Sequence, residues 1–226
     1  MVLLLGYCPL AVFGQEGDLI VIDSLYREDQ VYVGITFNLL ANRPDAIEQN
    51  GLSWGVQTGF IRDFPINKKR NKAIGVGLGL TFDRFSQNLF IGEQADGETT
   101  IYETIAGDLQ FDRNRFTYYS VELPIEYRWR TSTPTSYNFW RIYAGVRFGY
   151  IYYFRSIFEQ PGNTVRQTDI PELNRFQYGI TLSAGYDAFN IQAYYGLNTL
   201  FNDDALLGND PIELQVLRLG IQFYLL

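Results

Sequence analysis

The amino-acid sequence predicts an all-β protein: an eight-stranded antiparallel up-and-down transmembrane β-barrel of the outer-membrane type. Three observations predict this fold class. Large apolar residues alternate with small or polar ones in eight segments, the less apolar faces carry mostly Gly, Gln, Ser, Tyr and Arg, and short connections alternate with long ones. The 226 residues suit one such domain, and no segment after residue 15 is apolar for long enough to form a transmembrane helix.

The first predicted strand, residues 31–39, shows the alternation clearly. Its odd positions are all large and apolar, whereas Gly34, Thr36 and Asn38 occupy the positions between them. Because successive side chains of a strand point to opposite faces, this segment has one apolar face and one polar face.

The second and third strands, residues 52–60 and 73–82, repeat the period of two. Trp54 and Leu78 stand on their apolar faces, and Gln57 and a row of glycines stand on the opposite faces. Glycines suit the inner face of a narrow barrel, because each leaves room for a large neighbour in the lumen.

The fourth and fifth strands, residues 119–129 and 140–150, place charged residues on their polar faces. Charges in a narrow lumen are costly unless they are paired, so we predict a salt-bridge network that stabilises the barrel. A functional polar relay is the alternative. Antiparallel pairing should bring Glu122 near Arg147 and Glu126 near Arg141. With one arginine of the last strand, the predicted interior charge network consists of Glu122, Glu126, Arg128, Arg141, Arg147 and Arg218.

Three further strands, residues 176–185, 191–198 and 217–225, complete the prediction. The last one fits the polar-x-Gly-x-x-apolar-x-apolar pattern of barrels that the outer-membrane assembly machinery inserts. A soluble β-sandwich would also alternate, but its solvent face would favour Lys, Glu and Thr. The polar faces of this chain therefore favour a transmembrane barrel.

The connections predict how the barrel is oriented. The connections after the second, fourth and sixth strands are short, and those after the third, fifth and seventh are longer. Outer-membrane barrels have short periplasmic turns and longer extracellular loops. We therefore expect the protein in the bacterial outer membrane, with both ends of the chain in the periplasm.

The start of the chain is interpreted as a targeting region. Residues 1–15 are apolar and precede an acidic stretch, which is typical of a signal peptide, although a basic n-region is missing. Lipidation of Cys8 is the less favoured alternative, because Tyr7 stands where a small residue is expected. Residues 16–30 are predicted to be a periplasmic N-terminal segment, and residues 31–226 the barrel.

The composition excludes several classes of function. Histidine is absent and there is a single cysteine, which excludes a Ser-His-Asp triad, a Cys-His dyad and an ordinary zinc site. A net charge of −7 disfavours a nucleic-acid partner. Side chains fill an eight-stranded lumen, so an open catalytic cleft is not expected. The sequence predicts no enzyme activity, no cofactor and no small-molecule substrate.

The turn after the second strand, residues 62–72, contains most of the lysines of the chain. A run of charges in a turn is most often only solvated. The alternative is a docking site for an acidic periplasmic partner that complementary charge attracts. The candidate docking residues are Arg62, Asp63, Lys68, Lys69, Arg70 and Lys72.

Three stretches, residues 59–71, 127–143 and 176–186, resemble a known family. They are similar to PorT, the small outer-membrane barrel of the type IX secretion and gliding machinery of Bacteroidota, and the resemblance runs from about residue 24 to the C-terminus. It implies an accessory or assembly role in type IX protein secretion and gliding motility. It also implies that other components of that machinery contact the periplasmic turns, and it supplies no catalytic residues.

A second function from a different class stays open: a stand-alone structural or adhesive barrel that acts through its extracellular loops. The residues that carry the resemblance concentrate in the periplasmic turns, which favours the secretion role. Outer-membrane lipid is a partner under both hypotheses.

Overall fold

The structure is a computed structural model that describes residues 29–94, 99–105, 107, 109–131 and 140–225. The predicted signal peptide and most of the 16–30 segment lie outside these residues, and Gln30 already begins the first strand. No helix in the described ranges is long and apolar enough to cross a membrane.

The strands are β1 Gln30–Ala41, β2 Trp54–Pro65, β3 Lys72–Ser86, β4 Leu89–Glu93, β5 Thr100–Thr104, β6 Arg113–Arg130, β7 Trp140–Gln160, β8 Asn163–Gln167, β9 Phe176–Tyr186, β10 Phe189–Gly196, β11 Leu206–Leu207, β12 Asp210–Pro211 and β13 Gln215–Leu225.

Eight of these strands form a closed antiparallel barrel in the order β1, β2, β3, β6, β7, β9, β10 and β13. Pairing of β1 with β13, with Ile35 opposite Ile221, closes the barrel. Closure satisfies the backbone hydrogen bonds of every barrel strand, which hydrocarbon requires. The predicted eight-stranded fold is confirmed.

The two central strands extend further than the sequence predicted. β6 and β7 have 18 and 21 residues, and their additional residues lie at the end of the barrel that bears the long connections. We take this as the extracellular end, because outer-membrane barrels have short periplasmic turns and longer extracellular loops. β8 pairs with the upper end of β7 there, and the register of β6 against β7 shifts between Tyr119 and Ser120. The barrel wall therefore continues beyond the membrane on this side.

Alternation along each barrel strand separates an apolar outer wall from a polar lumen. Ile35 is 64% exposed and Leu78 61%, because only lipid would cover them. Gln57, Glu122 and Arg147 are buried inside. The other residues predicted to face lipid are also at the surface, with Trp54 partly covered: Val31, Trp54, Val121, Val146, Ile180 and Ile221.

Aromatic side chains mark two levels on the outer wall. An outer belt, defined as Trp54, Phe82, Tyr119, Tyr152 and Tyr153, has ring centroids 5.0–6.2 Å apart between neighbours. Aromatic pairs also lie near the periplasmic end: Trp140 with Tyr186, and Phe189 with Phe223.

The two levels are separated by a distance that suits a membrane. On β6, the stretch from Tyr119 in the outer belt to Trp129 rises about 33 Å at about 3.3 Å per residue. At the strand tilt of roughly 40° that is usual for such barrels, it spans about 25 Å, which is the height of the apolar band of outer-membrane barrels.

An apolar cap closes the extracellular end of the barrel. Phe85, Phe116 and Phe154 point inward from β3, β6 and β7, and their rings stack at 5.0 and 5.6 Å. Phe201, from the loop before β13, packs on Phe116 at 6.4 Å. These rings belong to one buried cluster with residues of the extracellular loops, such as Ile47. Apolar burial therefore anchors the loops over the lumen.

A polar contact joins two of the loops above this cluster. The carboxylate of Glu172 accepts hydrogen bonds from Thr100 at 2.9 Å and from the Tyr102 hydroxyl at 3.1 Å. Burial raises the pKa of Tyr102, and the charge of Glu172 raises it further. Tyr102 therefore stays a hydrogen-bond donor at neutral pH and links the β4–β5 hairpin to the loop before β9.

Replacing Leu123 by Arg should test the assignment of the outer wall. Leu123 faces outward on β6, between Tyr119 and Trp129, and its side chain is 41% exposed. Arginine near the bilayer midplane should lower the free energy of unfolding by about 2–4 kcal/mol, measured by urea unfolding in phospholipid vesicles. Leu52→Arg in the extracellular loop, where Leu52 is 65% exposed, is the control and should change stability by less than about 0.5 kcal/mol. Equal effects of the two changes would contradict the assignment.

Candidate functional site

The upper part of the lumen is organised around Glu122 of β6. Its carboxylate binds two arginines, Arg147 of β7 at 3.1 Å and Arg218 of β13 at 2.8 Å. All three side chains are buried. Glu122 thus contacts Arg147, the partner predicted for it, and the second arginine uses its other oxygen. One carboxylate links three strands across the lumen.

The network continues from Arg218 to the strands on the other side of the barrel. Arg218 contacts the carboxylate of Asp83 on β3 at 3.2 Å, and Asp83 accepts a hydrogen bond from Asn38 of β1 at 2.8 Å. The Arg218 guanidinium also lies 4.0 Å from the ring centroid of Tyr194 on β10. Arg218 therefore has a carboxylate on each side and an aromatic face beside it.

Two glutamines connect Arg147 to the closing strand. Arg147 donates to Gln57 of β2 at 2.8 Å, and the Gln57 amide donates to Gln222 of β13 at 2.9 Å. These bonds run through the centre of the lumen.

The lower part of the lumen centres on Asp63 of β2, which is fully buried. One oxygen of Asp63 contacts Arg128 at 2.9 Å and the other contacts Arg130 at 2.7 Å. Glu126 lies 3.7 Å from Arg128, and the side chain of Gln30 accepts a hydrogen bond from the same guanidinium. The periplasmic half of the lumen is thus a second cluster of paired charges.

Aromatic rings and glycines provide the space for these arginines. Arg128 lies 4.1 Å from the ring centroid of Tyr143 and 5.5 Å from that of Tyr224. A Cβ at Gly75 would lie 2.6 Å from Cδ of Arg128, and one at Gly79 would meet the hydroxyl of Tyr32. Any larger residue at these two positions would displace a lumenal side chain.

The structure corrects the predicted pairing of Glu126 with Arg141. The register places Glu126 opposite Gly145 and Arg141 opposite Arg130, so the two residues are neither direct nor diagonal neighbours. Arg141 instead donates to the backbone carbonyl of Asp187 at the periplasmic turn. The prediction was wrong because alternation assigns residues to a face but does not set how two strands align.

Asp63 and Arg70 are also placed differently from the prediction. Asp63 was assigned to the docking turn, but it points into the lumen and pairs with two arginines. Arg70 is half-buried, and its backbone carbonyl accepts a hydrogen bond from Arg130 at 2.9 Å. Both residues therefore belong to the base of the lumenal network, because β2 continues to Pro65, further than predicted.

The remaining charges of the predicted docking turn are exposed. Lys68, Lys69 and Lys72 are all the lysines of the chain, and each is exposed at the periplasmic end. Arg62 is exposed on the outer face of β2, with its guanidinium 6.0 Å from the ring centroid of Phe64. The exposed charges of this turn are therefore all positive.

Asn67 holds the backbone of this turn in one conformation. Its side-chain amide donates to Asn71 at 2.7 Å, and its side-chain oxygen accepts from the backbone of Lys72 at 3.1 Å. Arg70 has a φ of 54°, which closes the turn, and its N–H donates to the carbonyl of Asn67 at 3.0 Å. The lysines thus extend from an ordered support.

Three lumenal charges escaped the sequence analysis: Asp63, Asp83 and Arg130. Asp83 and Arg130 each lie one residue beyond the predicted end of a strand, so continuing the alternation by one position would have found them. Asp63 follows the predicted second strand at an odd, lumen-facing position, and extending that strand would have found it.

The lumenal charges are paired with one another and covered. The lumenal carboxylates contact arginines or amides, and the apolar cap covers them on the extracellular side. Within the described ranges, no group of three or more acidic, histidine or cysteine residues could hold a metal ion.

A family comparison agrees with this architecture. The sequence profile of the family described as "Outer membrane protein beta-barrel domain" matches residues 13–202. The chain belongs to this family. This outer-membrane β-barrel is therefore located in the bacterial outer membrane, where its apolar wall contacts lipid.

No curated protein matches the barrel significantly. Among solved structures, it is similar to the crystal structure of Ail, the attachment invasion locus protein of Yersinia pestis. The identity is 15%, the match covers 89% of this chain and 100% of that chain, and the TM-score is 0.35. A structure of Ail in complex with the heparin analogue sucrose octasulfate matches at 13% identity with the same coverage and a TM-score of 0.33.

Replacing Glu122 by Gln should show how strongly the barrel depends on its lumenal charges. The change leaves two buried arginines without their shared carboxylate, which should lower the free energy of unfolding by about 3–5 kcal/mol. The loss is measured by urea unfolding in vesicles, with heat-modifiable gel mobility as the readout of the folded fraction.

Two variants control this prediction. Glu103→Gln removes an exposed carboxylate and should change stability by less than about 0.5 kcal/mol. Adding Arg147→Met to Glu122→Gln removes one unpaired charge and should restore part of the loss. A Glu122→Gln barrel as stable as the Glu103→Gln barrel would refute the role of the network.

Proposed function

We propose that this outer-membrane barrel is a non-enzymatic accessory or assembly component of type IX protein secretion and gliding motility. It acts through its basic periplasmic rim, defined here as Arg62, Lys68, Lys69 and Lys72. The observation that carries the proposal is the concentration of every lysine of an acidic chain on one ordered periplasmic turn.

The filled lumen supports a role at the surface of the barrel. Paired charges occupy the upper and lower parts of the lumen, and aromatic rings occupy the extracellular end. A transported protein would have to displace both layers, at a large cost in buried charge and apolar area. The barrel therefore serves secretion as a binding partner.

Electrostatics defines the chemistry of the partner. Ammonium groups on an exposed turn attract an acidic surface and raise the rate of encounter at low ionic strength. The hydrogen bonds of Asn67 and Arg70 hold the turn in place, which reduces the entropy lost on binding. The partner is thus an acidic periplasmic protein or domain.

The resemblance to PorT indicates the machinery in which the barrel acts, type IX secretion and gliding. Residues 59–71, which carry part of the resemblance, end β2 and form the turn that presents the lysines. Under this proposal, the barrel is required for the export of type IX cargo, and the turn is the site that contacts its partner.

Replacing Lys68, Lys69 and Lys72 together by Gln should weaken secretion while the barrel still inserts. These side chains are exposed, so stability should change little, whereas loss of three charges should reduce partner binding. The measurement is the amount of cargo retained in the cell, together with co-purification of periplasmic partners from native outer membranes at low and high salt.

Arg70 is excluded from this variant because its side chain is half-buried and its φ of 54° closes the turn. The control replaces Arg43 and Arg166, two exposed arginines on the extracellular side, by Gln and should secrete normally. Normal secretion and partner recovery in the lysine variant, with heat-modifiable mobility intact, would reject the docking role.

An adhesive role is the second candidate, and the ordered extracellular cap favours it. Two small sheets, β4–β5 and β11–β12, stand on the apolar cluster and form a defined surface outside the cell. A deletion strain that secretes cargo normally but loses surface attachment would favour this function.

A further inference from the structure

Three arginines converge on one patch of the outer wall, just beyond the outer belt. Arg84 of β3 and Arg155 of β7 both lie opposite Thr117 of β6, one on each side, and Arg115 is the next outward-facing residue of β6. Diagonal neighbours on one face of a sheet lie about 7–8 Å apart. We call Arg84, Arg115 and Arg155 the outer arginine patch.

The outer belt shows at which depth of the membrane the outer arginine patch lies. Phe82, Tyr119 and Tyr153 form one paired row across β3, β6 and β7, and the row with Arg84, Thr117 and Arg155 follows directly toward the cell exterior. Two residues of a strand rise about 7 Å. Aromatic belts lie at the boundary between hydrocarbon and headgroups, so the guanidinium groups lie at the headgroup level.

The patch carries more positive than negative charge. Arg84, Arg113 and Arg155 all lie close enough to repel the charge of Arg115, and Glu159 is the carboxylate that acts against them. Glu159 is already engaged with Arg113 in a salt bridge. Such repulsion destabilises the barrel unless an anion occupies the patch.

The hydrogen-bonding state of the patch is an independent observation. The Nε atoms of Arg84, Arg115 and Arg155 are buried and have no hydrogen-bond partner in the described part of the chain. The side chains are partly exposed, so their outer nitrogens remain accessible. None of the three forms a salt bridge with a carboxylate of the described residues, and Glu159 pairs with Arg113 instead, so their accessible terminal nitrogens can donate to an anion at the headgroup level.

We propose that the outer arginine patch binds the phosphate groups of the phosphorylated glycolipid in the outer leaflet. Guanidinium groups bind phosphate oxygens in bidentate geometry, and three of them match a headgroup with more than one phosphate. The acyl chains of the same lipid lie against the rings of the outer belt, Tyr119 and Tyr153 among them. The bound lipid supplies the negative charge that the patch lacks.

Native mass spectrometry of the full chain in neutral detergent micelles, titrated with bisphosphorylated lipid A, tests the proposal. The variant R84Q/R115Q/R155Q should bind at least about ten-fold more weakly, because each lost charge-assisted hydrogen bond is worth about one order of magnitude. R84K/R115K/R155K keeps the charge without the bidentate geometry and should show an intermediate affinity. Heat-modifiable mobility shows that each variant is folded, and R115Q alone replaces the triple variant if that one does not fold.

The control R43Q/R166Q removes two exposed arginines of the extracellular loops, outside the patch, and should bind lipid A as the unaltered chain does. Dephosphorylated lipid A and phosphatidylglycerol should bind more weakly than lipid A. Unchanged binding in the arginine variants, or phosphatidylglycerol as tight as lipid A, would overturn the proposal. Displacement of lipid A by millimolar inorganic phosphate would assign the patch to free phosphate instead of a lipid.

Discussion

The lumen of this barrel is narrow, and the carboxylate of Glu122 shows how the fold adapts to that constraint. Few waters fit between eight strands, so a charge inside must find its counter-charge on another strand. Glu122 bridges Arg147 and Arg218, Asp83 completes the shell of Arg218, and Asp63 bridges Arg128 and Arg130. The carboxylates and arginines come from β2, β3, β6, β7 and β13. Pairing therefore specifies how the wall closes, even though buried ion pairs add little net stability over apolar packing.

Because the lumen is filled, binding to other molecules uses the surfaces of the barrel. Above the charges, inward-facing rings and the extracellular loops form one apolar cluster that covers the lumen. Below them, the short turn with Lys68 and Lys69 stands on a hydrogen-bonded base. The outer wall contacts lipid, and the outer arginine patch adds a polar contact at the headgroup level. A filled barrel thus offers separate surfaces to the periplasm, the membrane and the exterior.

The sequence also predicted a part of the candidate site. It identified Glu122, Arg147 and Arg218 as lumenal because they alternate with large apolar residues. They therefore share one face of their strands with the glycines and glutamines. It missed Asp83 and Arg130, which lie one residue beyond the predicted strand ends, and it assigned Asp63 to the candidate docking turn. Strand ends are weakly determined by sequence, since alternation continues only as long as both faces have distinct surroundings.

Alternation by itself determined the number of barrel strands, the residues that face lipid and the class of membrane protein. Few folds other than a closed barrel combine a period of two and a narrow polar face with full pairing of the backbone groups, which hydrocarbon requires. The tertiary structure decided which charges meet, because register depends on pairing across several strands. It also decided that loop residues such as Phe201 close the lumen and that Arg84, Arg115 and Arg155 converge on one patch. These residues are distant in sequence, and only the closed, tilted sheet brings them together.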